Sequence, residues 1–185
     1  MKKIYITNGS GTSGKDTFAK MLSKYITVHK YSSINLVKAM LQFVGVDTEQ
    51  KTEELRLLLS DMKDRLTKYD NIPFKDISEV VNNFKDNQIT ADVLLIDIRE
   101  PDEIARAAEV FDADTILIKN PNVKKIKSNH ADANVDNYNY DYIIENDGTL
   151  EQLDKMAYLF SEQVIKNNCF EKPTRFMCSE LKGEI

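Results

Sequence analysis

The chain has 185 residues, 42% hydrophobic and 30% charged, with a formal net charge of −5. That length suits one domain with a core large enough to fold alone, and the acidic balance argues against a general nucleic-acid binder, whose surface must be basic to meet phosphate backbones. No apolar run is long enough for a membrane span, and Asn8-Gly9-Ser10 ends the apolar stretch after Met1-Lys2-Lys3 too early for a signal-peptide core. A cytoplasmic protein is expected, free of membrane and nucleic-acid partners. Cys169 and Cys178 then read as free thiols, and with His29 and His130 as the only histidines no zinc set is expected.

Lys3-Ile4-Tyr5-Ile6-Thr7 opens the chain as a short buried strand. Next comes Gly9-Ser10-Gly11-Thr12-Ser13-Gly14-Lys15-Asp16-Thr17, with the spacing G-x-x-x-x-G-K of a phosphate-binding loop. Glycines let backbone N–H groups close around a polyphosphate, and the start of the following helix adds unpaired N–H groups and a positive dipole end. Lys15 supplies a point charge for the β- and γ-phosphates. Asp16 departs from the pattern, because Ser or Thr usually stands there to offer Mg²⁺ a hydroxyl; Thr17 comes one place late. Phe18, Met21, Leu22 and Tyr25 continue at helical spacing, so strand, loop and helix follow in the order the motif requires.

Ile26 to Tyr31 reads as a second strand, with His29 as a structural histidine. Ser32-Ser33 offers a cap for a helix over Asn35 to Phe43, with Leu36, Ala39, Met40 and Phe43 on one face and Gly45 at its end. A longer helix from about Thr52 to Tyr69 carries Leu55, Leu58, Leu59, Met62 and Leu66 as its apolar stripe and Arg56, Lys63, Arg65 and Lys68 opposite. Pro73 and Phe74 break the run, and Ile77, Val80, Val81 and Phe84 predict another helix to about Asn87. Val93-Leu94-Leu95-Ile96 is a continuous apolar run, as in a strand buried on both faces of a parallel sheet. It ends at Asp97, an acid at a strand's carboxyl end, where open α/β sheets gather their ligands. Pro101-Asp102-Glu103 opens a helix through Val110.

Thr115 to Ile118 is the fourth strand. The polar stretch from Asn120 to Tyr138 reads as a lid-like loop whose lysines, among them Lys124, Lys125 and Lys127, can clamp phosphates during transfer. Tyr142 to Ile144 is the fifth strand. Asn146-Asp147-Gly148 is a turn, and Thr149 with Gln152 forms a capping box for a last helix to about Ile165. Residues 168–185 read as a tail. The alternation predicts an α/β three-layer sandwich with a five-stranded, mostly parallel sheet.

The chain resembles P-loop kinases of the nucleoside monophosphate kinase type. Ser13-Gly14-Lys15-Asp16-Thr17 resembles the phage-type deoxynucleoside monophosphate kinases and the animal phosphomevalonate kinases, which share Ser-Gly-Lys-Asp. Ser32-Ser33-Ile34-Asn35-Leu36-Val37-Lys38 resembles the acceptor segment of adenylate kinase relatives, with Lys38 in place of an arginine. Asp97-Ile98-Arg99 resembles their strand-end acid and nearby arginine, and His130-Ala131-Asp132 a segment of the Ser-Gly-Lys-Asp kinases. Asp141 to Ile144 with Asn146 to Leu150 resembles the last strand and the adenine-contacting loop that these share with dephospho-CoA kinases.

The resemblance implies one kinase-like domain over 1–167, with an acceptor-binding helical region at about 32–88, a lid-like loop at about 120–138 and a tail at 168–185. It implies an ATP-dependent kinase using Mg²⁺. Gly9 to Thr17 with Asn146, Asp147 and Gly148 would bind ATP, and Asp16, Thr17 and Asp97 would serve the metal. Ser33, Lys38, Arg56 and Arg99 would hold the acceptor. Lys15, Asp97, Arg99, Lys124, Lys125 and Lys127 would carry the transfer. The expected acceptor is a (deoxy)nucleoside monophosphate, with a phosphometabolite such as phosphomevalonate or dephospho-CoA as the alternative. A nucleotide-binding regulatory module without transfer and a slow NTPase switch are the readings outside the kinase class. A monomer or homodimer is expected.

Overall fold

The apolar run Val93–Ile96 needs cover on both faces, and the computed structural model places it accordingly: all five residues of its strand are buried. The structure describes residues 2–50, 52–123, 134–167 and 171–181. The elements are β1 (Lys3–Asn8), α1 (Lys15–Leu22), β2 (Val28–Ser32), α2 (Asn35–Phe43), α3 (Glu53–Asp70), α4 (Ile72–Lys85), β3 (Val93–Asp97), α5 (Pro101–Phe111), β4 (Asp114–Lys119), β5 (Tyr142–Glu145), α6 (Leu150–Leu159) and β6 (Thr174–Met177). α6 runs on into a π-helical stretch over Phe160–Lys166. Among the described residues no helix is long and apolar enough to cross a membrane.

The fold is α/β, with a six-stranded sheet in the order β2-β3-β1-β4-β5-β6. β1 pairs in parallel with β3 on one side and β4 on the other, and β5 and β6 continue the sheet in parallel. Parallel neighbours need crossover connections, which is why a helix stands between most successive strands. β1 therefore lies where the chain order divides: β2 and β3 on one side, β4 onward on the other. Ligands in open α/β sheets bind at the carboxyl ends of strands at such a division.

The expected five strands are six. β6 lies within the segment read as a tail and pairs with β5, Ile144 opposite Phe176. Four residues are too few to show a period of two, and the partner strand lies far upstream, so neither signal was local. Packing holds it: the Phe176 ring meets Phe160 edge-on at 6.2 Å, and Arg175 bonds Glu145. Cys178, just after β6, is a buried free thiol in the main core. Burial, with the Asp147 charge adding to it, pushes that thiol up to about 12. Cys169 lies outside the described residues.

The chain divides into two compact units, Met1–Lys30 with Thr90–Ile185, and Tyr31–Ile89. The first holds the core of the sheet, where Tyr5, Phe18, Tyr142 and Phe160 form an edge-on aromatic cluster. Burial above all, with Asp114 and Tyr142, raises the Tyr5 phenol well above its ordinary value. Thr149 and Gln152 make the expected capping box at the start of α6.

The second unit contains α2, α3 and α4. Its small core gathers Val37, Leu41, Leu55 and Leu59. α2 buries Val37 and Leu41, whereas Phe43, expected on the inner face, is 92% exposed. Apolar residues surround most of that helix, so periodicity alone did not choose the face. Leu58, expected in the stripe of α3, is likewise exposed. The expected break between two helices is present, at Asn71, and Pro73 lies in the first turn of α4, where its missing N–H is harmless. Asn71, in the left-handed conformation, ends α3 and leads into α4.

Candidate functional site at the carboxyl ends of β1 and β3

Residues 9–14 carry the chain from β1 into α1 through a close turn. Gly14 is left-handed, with φ 94°, and a Cβ there would lie 2.3 Å from Asn146 Nδ2. A Cβ on Gly9 would lie 2.6 Å from the Ile118 carbonyl oxygen. Position 9 therefore demands glycine for space, because the Ile118 carbonyl is backbone, and position 14 for its backbone angle, with the Asn146 side chain obliged to move for any Cβ. The Ser13 N–H donates to Ser10 O at 3.1 Å, and Asn146 Nδ2 donates to Ser13 O at 3.1 Å. No side chain caps the start of α1. Ser13 Oγ is buried without a hydrogen-bond partner among the described residues.

Asn8 braces the loop from below. Its Oδ1 accepts from the Gly9 N–H at 2.8 Å. Its Nδ2 donates to Arg99 O at 3.1 Å and to the Tyr140 hydroxyl at 2.7 Å. That hydroxyl donates in turn to Val135 O at 2.8 Å. Burial raises the Tyr140 phenol above its ordinary value, against the opposing bond from Asn8. A protonated phenol is what this chain of bonds requires.

Asp97 is the centre of charge. Sheet register sets Thr7 beside it, and the Thr7 hydroxyl donates to Oδ1. Lys15 Nζ lies 2.6 Å from Oδ2, and Lys30 Nζ lies 3.0 Å from the same atom. Lys30 also bonds Asp16. Asp97 is 8% exposed, so its charge must be matched by partners within the protein. Burial pulls the Lys30 ammonium's pKa down, but the Asp97 charge and the bonds to Asp16 and Asp97 outweigh it, and the net shift is upward. The four charged groups Lys15, Lys30, Asp16 and Asp97 balance.

Of the residues singled out in the sequence, Gly9 to Thr17, Asp97 and Asn146 come together here. Arg99 lends its carbonyl to Asn8. Asp147 accepts from the Ser179 N–H at 2.9 Å and so ties the turn after β5 to the segment after β6. A Cβ on Gly148 would meet Gln152 Oε1 at 2.3 Å and push that side chain out of the capping box. Ser33, Lys38 and Arg56 belong to the second unit, where Ser33 is buried and Lys38 pairs with Glu49 at 3.6 Å. Lys124, Lys125 and Lys127, with His130 and Asp132, lie outside the described residues. Sequence reasoning missed Thr7, Asn8, Lys30 and Tyr140. The one available signal for Lys30 was a lone charge inside an expected strand.

Among the described residues no three His, Cys, Asp or Glu side chains gather as a preformed metal set. Magnesium does not need one: it keeps several waters and takes one or two carboxylates together with substrate phosphates. Asp16 and Asp97, brought to one ammonium, are hard oxygen donors that fit that description.

No protein-family model matches the chain, and no curated protein matches it. Among solved structures, TT1252 from Thermus thermophilus is similar over 84% of this chain and 94% of its own length, at 19% identity and a TM-score of 0.41. The fold therefore rests on this chain's own sheet order and register.

Proposed function

We propose that this chain is an ATP-dependent phosphotransferase that passes the γ-phosphoryl group to a small phosphorylated acceptor, with a (deoxy)nucleoside monophosphate as first choice. The observation that carries the reading is the 2.6 Å contact between Lys15, on a loop of phosphate-binding spacing, and Asp97, at the end of the adjacent strand. Phosphoryl transfer asks a protein for positioning and charge compensation more than for covalent chemistry. The loop offers the start of α1, glycines that admit close backbone approach, and an ammonium held at the strand ends.

In this reading Gly9 to Gly14 surround the phosphates and Lys15 turns from Asp97 toward them. Asn146 keeps the loop in shape through Ser13 O. Asp16, Thr17 and Asp97 would hold Mg²⁺, which supplies charge neutralisation at the phosphates when bound. Ser33, Lys38, Arg56 and Arg99 are the candidates for the acceptor's own phosphate, and the acceptor class rests on the resemblance of residues 32–38 alone. A phosphometabolite kinase is the alternative within the class.

The test is ADP release from ATP with Mg²⁺ across a panel of nucleoside monophosphates and phosphorylated metabolites. At least one acceptor should accelerate it, and Lys15→Ala should lower that rate by about a hundredfold or more, as loss of a principal transition-state charge does. Turnover near wild type in a folded Lys15→Ala protein refutes the scheme. The bond between Asp16 and Lys30 favours one other reading, a nucleotide-binding module without transfer, because it occupies the position where the usual hydroxyl serves the metal. That reading predicts saturable ATP binding and no acceptor-dependent ADP.

A further inference from the structure

Among the described residues two ammonium groups serve Asp97, and one of them sits on the phosphate loop. Lys15 and Lys30 approach the same oxygen, Oδ2, at 2.6 Å and 3.0 Å. The other oxygen accepts from the Thr7 hydroxyl. At 8% exposure, Asp97 has little water to fall back on. If Lys15 alone balanced it, a metal-free phosphate that drew Lys15 away would leave a buried carboxylate whose one partner among the described residues is a hydroxyl. Such an uncompensated charge is strongly unfavourable, and phosphate binding would be weaker by that amount. Lys30 removes the conflict. It comes from β2, not from the loop, and its contact with Asp16 gives it a second anchor.

We propose that Lys30 is a positioning residue of the phosphate site: it is the standing counter-ion of Asp97 and thereby releases Lys15 to the phosphates. The inference rests on the phosphotransferase reading in one respect, that Lys15 meets phosphate.

A counter-ion of this kind leaves a signature that a stray positive charge does not. In the native background, removing Lys30 leaves Lys15 pinned as the one cation on Asp97 among the described residues. With Asp97 neutralised, Lys15 is free whether or not Lys30 is present. A general attraction between Lys30 and an anionic ligand would instead weaken binding equally in both backgrounds.

The experiment is calorimetric titration with inorganic tripolyphosphate in the absence of divalent metal, on the full chain and on Lys30→Met, Asp97→Asn and the double variant. Lys30→Met should weaken binding about tenfold in the native background and no more than about threefold in Asp97→Asn, a coupling within the range of charged groups in contact. Equal losses in the two backgrounds, or no loss in either, overturn the proposal. Lys30→Arg keeps the charge and provides a check should Lys30→Met not fold: it should bind within about threefold of the unaltered chain, and a tenfold loss overturns the counter-ion role. An unaltered chain that binds neither tripolyphosphate nor ATP with Mg²⁺ removes the phosphotransferase reading, and this inference with it. Binding by the unaltered chain with no coupling removes this inference alone.

Discussion

Replacing Gly14 by Ala separates two demands that the loop makes on one residue. The first is backbone: φ 94° lies in the left-handed region, where a Cβ costs about 1–2 kcal/mol. The second is space, because the added Cβ would stand 2.3 Å from Asn146 Nδ2. That atom is the end of a side chain, so it can swing away, but it then loses its 3.1 Å bond to Ser13 O, worth about 1 kcal/mol. Gly14→Ala should therefore destabilise by about 2–3 kcal/mol, and in an Asn146→Ala background by only about 1–2 kcal/mol. Urea unfolding of the four proteins, with equal m-values as the control for two-state behaviour, gives both numbers. A Gly14→Ala protein within about 0.5 kcal/mol of wild type would refute the left-handed turn, since surface substitutions without strain fall in that range. Equal losses in the two backgrounds would refute the Asn146 contact.

Other consequences are open to direct measurement. Cys178 is buried and its thiol pushed up to about 12, so at pH 8 it should stay protonated and silent to a thiol reagent until the protein unfolds. A Cys169→Ser protein that reacts fast and stoichiometrically in the native state would contradict that burial. Lys30 has a folded-state pKa raised above its ordinary 10.5, so its contribution to stability is fully present below that value and is lost as pH rises through the folded pKa. Unfolding curves between pH 9 and about 12 should show stability falling on this alkaline limb, with a shallower fall in Lys30→Met; parallel limbs would show that Lys30 titrates unpaired.

The turn over residues 9–14 was legible because its geometry is local. Gly9, Gly14 and Lys15 act within a single turn, and spacing along the chain is nearly spacing in space. β3 was legible for a related reason: a strand buried on both faces must be apolar without alternation, and Val93 to Ile96 is. The place of Asp97 at the end of β3 followed from the apolar run that it closes. β6 was not legible, since its stability comes from pairing with β5 and from Phe160, neither adjacent in sequence. The face of α2 was not legible either, because a helix apolar on most sides carries no instruction about which side to bury.

The nonapeptide from Gly9 to Thr17 thus determined the loop's residue types, and the apolar runs determined an α/β sheet to carry it, because backbone angle, helix start and hydrophobic periodicity are all short-range. Only the tertiary structure brought Lys30 of β2 to Asp97 of β3, Asn8 to Tyr140, and Asn146 to Ser13. Those pairs span from 67 to 133 positions. A polar side chain does not announce its partner at that distance; the partner is chosen when the parallel register sets strand ends level and burial obliges each charge to find its opposite.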